Sequence, residues 1–449
     1  MEKLLAIAKR VADQAEIYSA TSNTDGVSFE NAKLKDIDSK MQHGVALRII
    51  KDGKLGFAYT KNLIDREELV QNAFASLKGG VEAQYEFPLT KRLPSLQSFD
   101  ASIKKLTNTQ MVEECTRICD TLGAKTKGEI YVGFGREITQ VRIMNSVGTD
   151  LSAEFSEYSG YAGILYPGSQ ASIGRFMYLK KFQKFPDAML NFMLDIYNRS
   201  LKEAKIKSGK MKVLFMPETL YALIWRLKEG TLGKNIYEKV SPIKDKLGQK
   251  ILSEKLTIVD ESLNDNWTGA RAFDDEGTPC QNLTIIEAGV FKNFYTDLNY
   301  AQKLNVKSSR VGSSRRRVDS TGNGYKTGIS SKIIPTLTHL TVKPGKKSLA
   351  ALIKAMDKGI IVCGIMGAHS GNILNGDFSV GLSPGIYVEN GEIIGQVKDA
   401  MVAGNIYEVM KSVVDIEDTV YPGYTAMFPP ALGMLPAVLF DDVSVATKN

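Results

Sequence analysis

GVALRIIKDGKLGFAYT, residues 44–60, decides how the first half of the chain folds. Two largely apolar strands meet at Asp52-Gly53, a pair suited to a type I′ turn, in which both central residues take positive φ. The segment therefore reads as a β-hairpin, and a helix from about Asp65 to Lys78 closes the unit. Upstream, an amphipathic helix from Glu2 to Gln14 leads into AEIYSATSNTDGVSFEN, a further strand.

The same order returns once. A second helix, about Asn108 to Leu122, runs into GEIYVGFGREITQVRIMN. Glu16-Ile17-Tyr18 thus recurs as Glu129-Ile130-Tyr131, and Asn31 as Asn145. Self-similarity of this kind sets the architecture before any single element does. Strands near Leu151–Phe155, Tyr158–Leu165 and Ser172–Leu179, then a helix from about Phe185 to Ala204, complete the second copy. PLTKRLPSLQ (88–97) is the expected linker between lobes 1–95 and 105–205.

After KIKSGK (205–210) the texture changes to short strands with Gly-centred turns. Three helices are expected there. One is opened by Pro217, carries the stripe Leu220, Leu223, Ile224 and Leu227, and stops near Gly230. The others span about Ser348–Lys358 and Ile406–Val413. The fold class is α+β: a duplicated helix–antiparallel-strands–helix domain over residues 1–205, then a large β-rich domain over 209–449.

Apolar residues at 43% and charged residues at 24% are ordinary for a globular chain. Lys9, Arg10, Asp13 and Glu16 interrupt the N-terminal apolar stripe, which argues against a secretory signal. No segment has the roughly eighteen apolar residues needed to cross a bilayer. A cytoplasmic protein without membrane contact is the expectation. Four cysteines do not make a disulfide framework; Cys115 and Cys119 share a helical face as core thiols. The net charge of +7 is mild. Its one dense run, Arg315–Arg317, lacks interleaved aromatics, so a nucleic-acid partner is not favoured.

Three blocks in order resemble the TldD/PmbA family. They are the hairpin 44–60, LGQKILSEKLTIVDES (247–262) with FDDEGTPCQNLTIIEAGVFKNFYTD (273–297), and HSGNILNGDFSVGLSPGIYVENGEIIGQVKDAMVAGN (369–405). The last resembles the PmbA branch. The resemblance implies a heteromeric peptidase built from two related chains. In its catalytic, TldD-like branch a helix carries His-Glu-x-x-x-His, with a further ligand near the C-terminus, usually Cys. Such a helix gives zinc two imidazoles and leaves a position for water, which a carboxylate activates.

In this chain the motif's position falls near Ile224–Glu229, which reads IWRLKE, and YPGYTAMFPPALGMLPAVLF (421–440) holds no cysteine. Its three histidines, His43, His339 and His369, are far apart. The resemblance therefore implies a PmbA/TldE-like non-catalytic subunit, with no catalytic or metal residue of its own and zinc in a TldD-like partner. Peptide is its substrate class, and a homodimer is conceivable in isolation. Two rivals remain: a self-sufficient metal-dependent peptidase using unrecognised ligands such as His369, and a modulator of DNA gyrase binding through Arg315–Arg317.

The residues singled out for a peptide channel or subunit interface are Asp275, Glu276, Gly277, Gly322, Asn323, His369, Asn372 and Asp377. Asp274, Asp275 and Glu276 form the only tight acidic triplet, and a turn around Gly277 accounts for it without a metal. Gly322-Asn323 belongs to a long glycine-rich loop, a lid or channel wall in functional terms. His369 reads as a turn-capping histidine beside Asn372 and Asp377.

Overall fold

A computed structural model describes residues 1–309, 318–427 and 430–448. Arg315–Arg317 lie outside the described residues. The N-terminal half contains α1 (Glu2–Ala8), β1 (Gln14–Glu30), β2 (Lys33–Lys51), β3 (Lys54–Thr60) and α2 (Arg66–Ser76). The second copy follows as α3 (Asn108–Gly123), β4 (Glu129–Asn145), β5 (Asp150–Leu165), β6 (Ser172–Leu179) and α4 (Asp187–Arg199). Asp52 and Gly53 take φ of 48° and 70°, the two positive values a type I′ hairpin requires.

All six strands make one antiparallel sheet in the order β3-β2-β1-β4-β5-β6. The duplication explains that order. The offset that carries Glu16 onto Glu129 carries Thr24 onto Glu137, and Thr24 pairs with Glu137 across the β1–β4 ladder. Equivalent residues therefore face each other at the middle of the sheet. The two repeats are related by a local two-fold axis there.

Alternation along the strands then sorts the two faces. Ile17, Leu47 and Ile49 pack with Leu4, Leu69 and Val70 under α1 and α2. Val27, Phe29, Val132 and Phe134 pack with Met111, Ile118 and Leu190 under α3 and α4. Tyr18, Ala46, Val141 and Ile143 point the other way and meet Phe273 of the C-terminal half. Glu16 and Arg48 share this second face by parity. Two buried charges thus stand where the halves join.

Beyond residue 205 come β7 (Gly209–Phe215), α5 (Tyr221–Thr231), α6 (Gly233–Tyr237), β8 (Ile258–Glu261), β9 (Asn282–Glu287) and β10 (Val290–Phe291). Next are α7 (Leu298–Ser309), β11 (Gly324–Tyr325), β12 (Ile334–Pro335), β13 (Leu340–Val342) and α8 (Leu349–Ala355). Strands β14 (Lys358–Val362), β15 (Ile365–Met366), β16 (Asp377–Leu382), β17 (Gly385–Glu389), β18 (Glu392–Val397) and β19 (Ala400–Asn405) precede α9 (Ile406–Val409). The chain finishes with β20 (Val413–Ile416), β21 (Tyr421–Met427), β22 (Pro430–Leu435) and β23 (Val438–Thr447). They assemble as a nine-stranded sheet containing β7 and β14, a six-stranded sheet containing β8 and β13, and the pair β11–β12. Leu223, Ile224 and Leu227 of α5 lie in the core that includes residues of both larger sheets.

The α+β class and the β-rich second half match the sequence reading. Several element bounds do not. The first helix ends at Ala8, because Asp13 N already donates to Ile50 O and Gln14 opens β1. The strands expected at 151–155 and 158–165 are one strand, continuous along β4. The helix expected over 185–204 spans only Asp187–Arg199, with Pro186 at its N-cap. Helix α5 runs one residue past Gly230, and α8 and α9 are shorter than anticipated. Helices α6 and α7 were not anticipated. The N-cap of α7 is made by Asp297 Oδ1, which accepts from Tyr300 N at 2.8 Å.

Candidate functional site

Glu16 and Arg48 are cross-strand partners on β1 and β2. Arg48 Nε and Nη2 donate to Glu16 Oε1 at 2.9 and 2.7 Å, and Nη1 donates to Glu276 Oε1 at 3.0 Å. All three side chains are buried. Burying charge is costly unless it is paired and hydrogen-bonded, and here one guanidinium answers two carboxylates.

The acidic triplet is wholly interior, and its members have separate duties. Asp274 accepts from the amides of Glu276, Thr278 and Gly324. Asp275 accepts from Arg271 Nη2 at 2.7 Å and from Lys326 N at 2.8 Å. Glu276 Oε2 takes Leu298 N at 2.8 Å, at the start of α7. Gly277 has φ of +73°, closing the turn by Gly277 N donating to Asp274 O, while its carbonyl accepts from Thr90 Oγ1. The turn welds residue 90, the N-terminal sheet and the C-terminal loops together.

A cavity of about 700 Å³ opens against this weld. Arg48, Glu276, Asp297 and Lys326 line it, with Lys228 and Glu229 of α5. Phe57, Leu232, Tyr295 and Ile334 supply apolar wall. Lys228 Nζ donates to Leu337 O and Thr425 Oγ1 at 3.1 and 3.2 Å. Burial pushes its pKa down to about 8. Lys326 Nζ finds no hydrogen-bond acceptor among the described residues and lies over the rings of Tyr18 and Phe57, at 4.9 and 5.3 Å. Burial and the Arg48 charge push it down to about 8 also. Burial, with Glu276 nearby, pushes the Asp297 carboxyl up to about 8. A second cavity of about 710 Å³, lined by Tyr18, Glu157, Arg271 and His339, shares Lys326 and Thr336 with the first.

Helix α5 carries IWRLKE. Ile224 is fully buried in the apolar core. Arg226, also fully buried, spends its guanidinium on main-chain oxygens: Asp377 and Ser370 at 2.6 Å, Ala222 at 2.6 Å and Ala368 at 3.1 Å. Glu229 Oε2 accepts from Asn235 Nδ2. Spaced as the two ends of a His-Glu-x-x-x-His stretch would be, Ile224 and Glu229 offer an isoleucine and a carboxylate rather than two imidazoles. His43 is exposed on β2 and bonded to Thr21. His339 N donates to Asp260 Oδ1, and its ring bonds to Thr338. His369 is exposed in the turn 367–370. Among the described residues no group of three His, Cys, Asp or Glu could hold a metal ion. The residues present do not fit a catalytic zinc.

The residues singled out from sequence thus divide into three places. Asp275 and Glu276 reach the two cavities, one each. Gly277, Gly322 and Asn323 lie behind them; Asn323 is buried, with Nδ2 donating to Asp260 Oδ2 at 2.8 Å. His369, Asn372 and Asp377 sit apart, on the loop that Arg226 holds. Ser370 N donating to Gly367 O closes that turn, and among the described residues the imidazole makes no hydrogen bond to it. Asp377 Oδ1 accepts from Asn405 Nδ2, and Asn372 Oδ1 from Asn375 N.

Residues 208–447 match the PmbA/TldA metallopeptidase C-terminal domain, and residues 15–77 match PmbA/TldA metallopeptidase domain 1. The chain belongs to the TldD/PmbA family. Relatives in that family align over almost its full length. An uncharacterized protein of Methanocaldococcus jannaschii is 27% identical over 420 residues, covering 93% of this chain and 95% of that one. A metalloprotease of the same organism is 26% identical over 434 residues, covering 91% and 90%. The solved structure of TldE from Thermococcus kodakarensis superposes with a TM-score of 0.89 at 22% identity, over 99% of each chain, which establishes the shared fold.

Sequence reasoning reached the TldD/PmbA blocks but missed the cations inside the cavity. Arg48 sits in the quoted hairpin, and its odd charge among apolar neighbours was a usable signal. Lys228 lay inside IWRLKE, read for what it lacks. Lys326 follows Thr321-Gly322-Asn323-Gly324 by two residues and gave no signal of its own.

Proposed function

We propose that this chain is the non-catalytic, TldE-like subunit of a heteromeric TldD/PmbA metallopeptidase that acts on peptides, with the zinc in a TldD-like partner. One observation carries the reading. Helix α5 is retained and packed in the core, yet Ile224 and Glu229 stand where the clamp needs imidazoles, and Arg226 and Lys228 are committed to main-chain and hydroxyl oxygens. The name of the Thermococcus structure supports the same assignment. The role of Asp275, Glu276, Gly277, Gly322, Asn323, His369, Asn372 and Asp377 as a channel or interface set is part of the proposal, as is the boundary of two domains near residue 205.

Affinity pull-down of the full-length chain with a TldD-type subunit, followed by peptide-cleavage assays of each chain and of the mixture, tests it. Cleavage is expected from the mixture and not from this chain. Hydrolysis by this chain alone, abolished by a chelator, overturns the assignment.

A further inference from the structure

Glu137 of β4 and Glu157 of β5 are direct cross-strand partners on the sheet face that meets the C-terminal half. Like charges set opposite each other on neighbouring strands repel. Thr139 Oγ1 donates to Glu137 Oε1 at 2.8 Å, and Tyr178 OH donates to Glu157 Oε2 at 2.7 Å. Among the described residues neither acid makes an ion pair. Burial, with Glu137 nearby, pushes the Glu157 carboxyl above its ordinary pKa, and no described cation offsets the shift. Both acids are only part-buried and line the cavity of about 710 Å³, so a ligand there can reach them. The cations of that cavity are answered by other groups. Arg271 pairs with Asp275, and Lys326 lies among Glu16, Asp275 and Glu276.

The sheet beside the two acids is bare. A third cavity, of about 450 Å³, continues from the second and shares Glu157, Tyr178, Tyr424 and Leu432 with it. Across its floor the residues in register are Asp38, Gly26, Gly135, Ser159 and Tyr178, and the row two residues on holds Gly133, Tyr161 and Phe176. Glycines in strands let another main chain approach closely. Rings form the wall: Phe176 stands 4.9 Å from Tyr161 and 5.7 Å from Tyr424, centroid to centroid. Asp38 and Glu157 are the charged residues of this cavity among those described. Two carboxylates fall short of the roughly six oxygens a calcium ion takes, and no metal-binding group of three gathers here among the described residues. Carboxylates beside aromatic faces suit an ammonium or a guanidinium. We infer that the joined cavities take a peptide segment whose lysine or arginine side chain reaches between Glu137 and Glu157. Its aliphatic stem lies along Tyr178 and Tyr424, and its main chain lies over the glycine floor. The inference deepens the peptide-handling reading and rests on it for the choice of a peptide.

Calorimetric titration of the isolated full-length chain with acetyl-Ala-Arg-Ala-amide, and with its citrulline counterpart of the same shape and no charge, tests it. The arginine peptide is expected to bind at least tenfold more tightly. Glu157→Gln should remove at least tenfold from the arginine peptide and leave the citrulline peptide unchanged. Glu137→Gln gives a second, independent comparison. Melting temperatures no lower than the parent's are expected for both variants, because the repulsion between the acids is relieved. Equal affinity for the two peptides, or no saturable heat from either, sinks the inference. Tighter binding of Ala-Ala-Ala-amide with a free N-terminus would overturn it too, by assigning the carboxylates to a terminal ammonium instead of a side chain. The partner subunit is absent from this titration, so its failure leaves the pull-down result standing, and the reverse holds as well.

Discussion

Arg48 of the N-terminal sheet and Glu276 of the C-terminal turn form an ion pair of 3.0 Å, with side chains 5% and 2% exposed. The same guanidinium holds Glu16. A single cation therefore ties two buried carboxylates, one from each half.

Removing that cation leaves the two buried acids with Lys326 but no hydrogen-bonding guanidinium beside them. Arg48→Met should cost about 3–5 kcal/mol of stability, the range for breaking a buried pair from one side. Urea unfolding followed by circular dichroism measures it. Glu276→Gln should cost less, because an amide oxygen still accepts. The double variant Arg48→Met with Glu276→Gln should lose less than the sum of the singles, since one orphaned charge is gone. Strict additivity would show that the two residues do not act on each other.

Arg226 offers a different kind of test, since its partners are all main-chain oxygens. Arg226→Met should strip a charged donor from the carbonyls of Ala368, Ser370 and Asp377 and cost about 2 kcal/mol or more. Of these, Ser370 O keeps only the long Ser379 N bond of 3.4 Å. Lysine cannot reproduce the fork, so Arg226→Lys should rescue little. The local signature is distinctive: limited proteolysis with mass-spectrometric mapping should find new cuts between Gly367 and Gly376. Cuts spread evenly along the chain would instead mean global loosening.

The hairpin at 44–60 and the repeated Glu-Ile-Tyr were readable because turn chemistry and strand alternation are local. The sheet order follows from them once the two copies are joined at equivalent residues, Thr24 against Glu137. The cavity was not readable, because its parts are brought together from β2, α5, the 273–277 turn and the segment after Asn323. Nothing local marks Lys326 as buried; its surroundings are Tyr18 and Phe57, far away in sequence. The end of α1 was misread for a related reason. Its apolar spacing runs on through Val11 and Ala12, but the Asp13 amide is claimed by Ile50 O.

Zinc should not be retained by this chain. After incubation with one equivalent of zinc and desalting, atomic absorption should find far less than one zinc per chain, and His369→Ala should change nothing. One tightly held zinc per chain, lost in His369→Ala, would favour the self-sufficient peptidase instead.

The last test uses Asp297, whose carboxyl is pushed up from 3.8 to about 8 by burial and by Glu276. Between those values the folded chain keeps a proton that the unfolded chain has released. Its contribution is complete below pH 3.8, shrinks by up to about 1.4 kcal/mol per pH unit as pH rises, and is gone above about 8. Arg48 opposes the shift, and Tyr300 N, which donates to Asp297 Oδ1, does too, but burial outweighs both. Lys228 and Lys326 act in the next window. Both are pushed down from 10.5 to about 8, so there the unfolded chain binds the extra protons and stability rises with pH. Urea midpoints should therefore fall from pH 5 towards a minimum near pH 8 and recover above it. Asp297→Asn keeps an N-cap side chain for α7 and removes that titration, so it should make the acidic limb shallower and leave the alkaline limb unchanged. The acidic slope that remains is due to Glu16, which burial raises to about 7, and to Asp274, also raised by burial. An unchanged slope between pH 5 and 8 in that variant would show that Asp297 is ionised throughout.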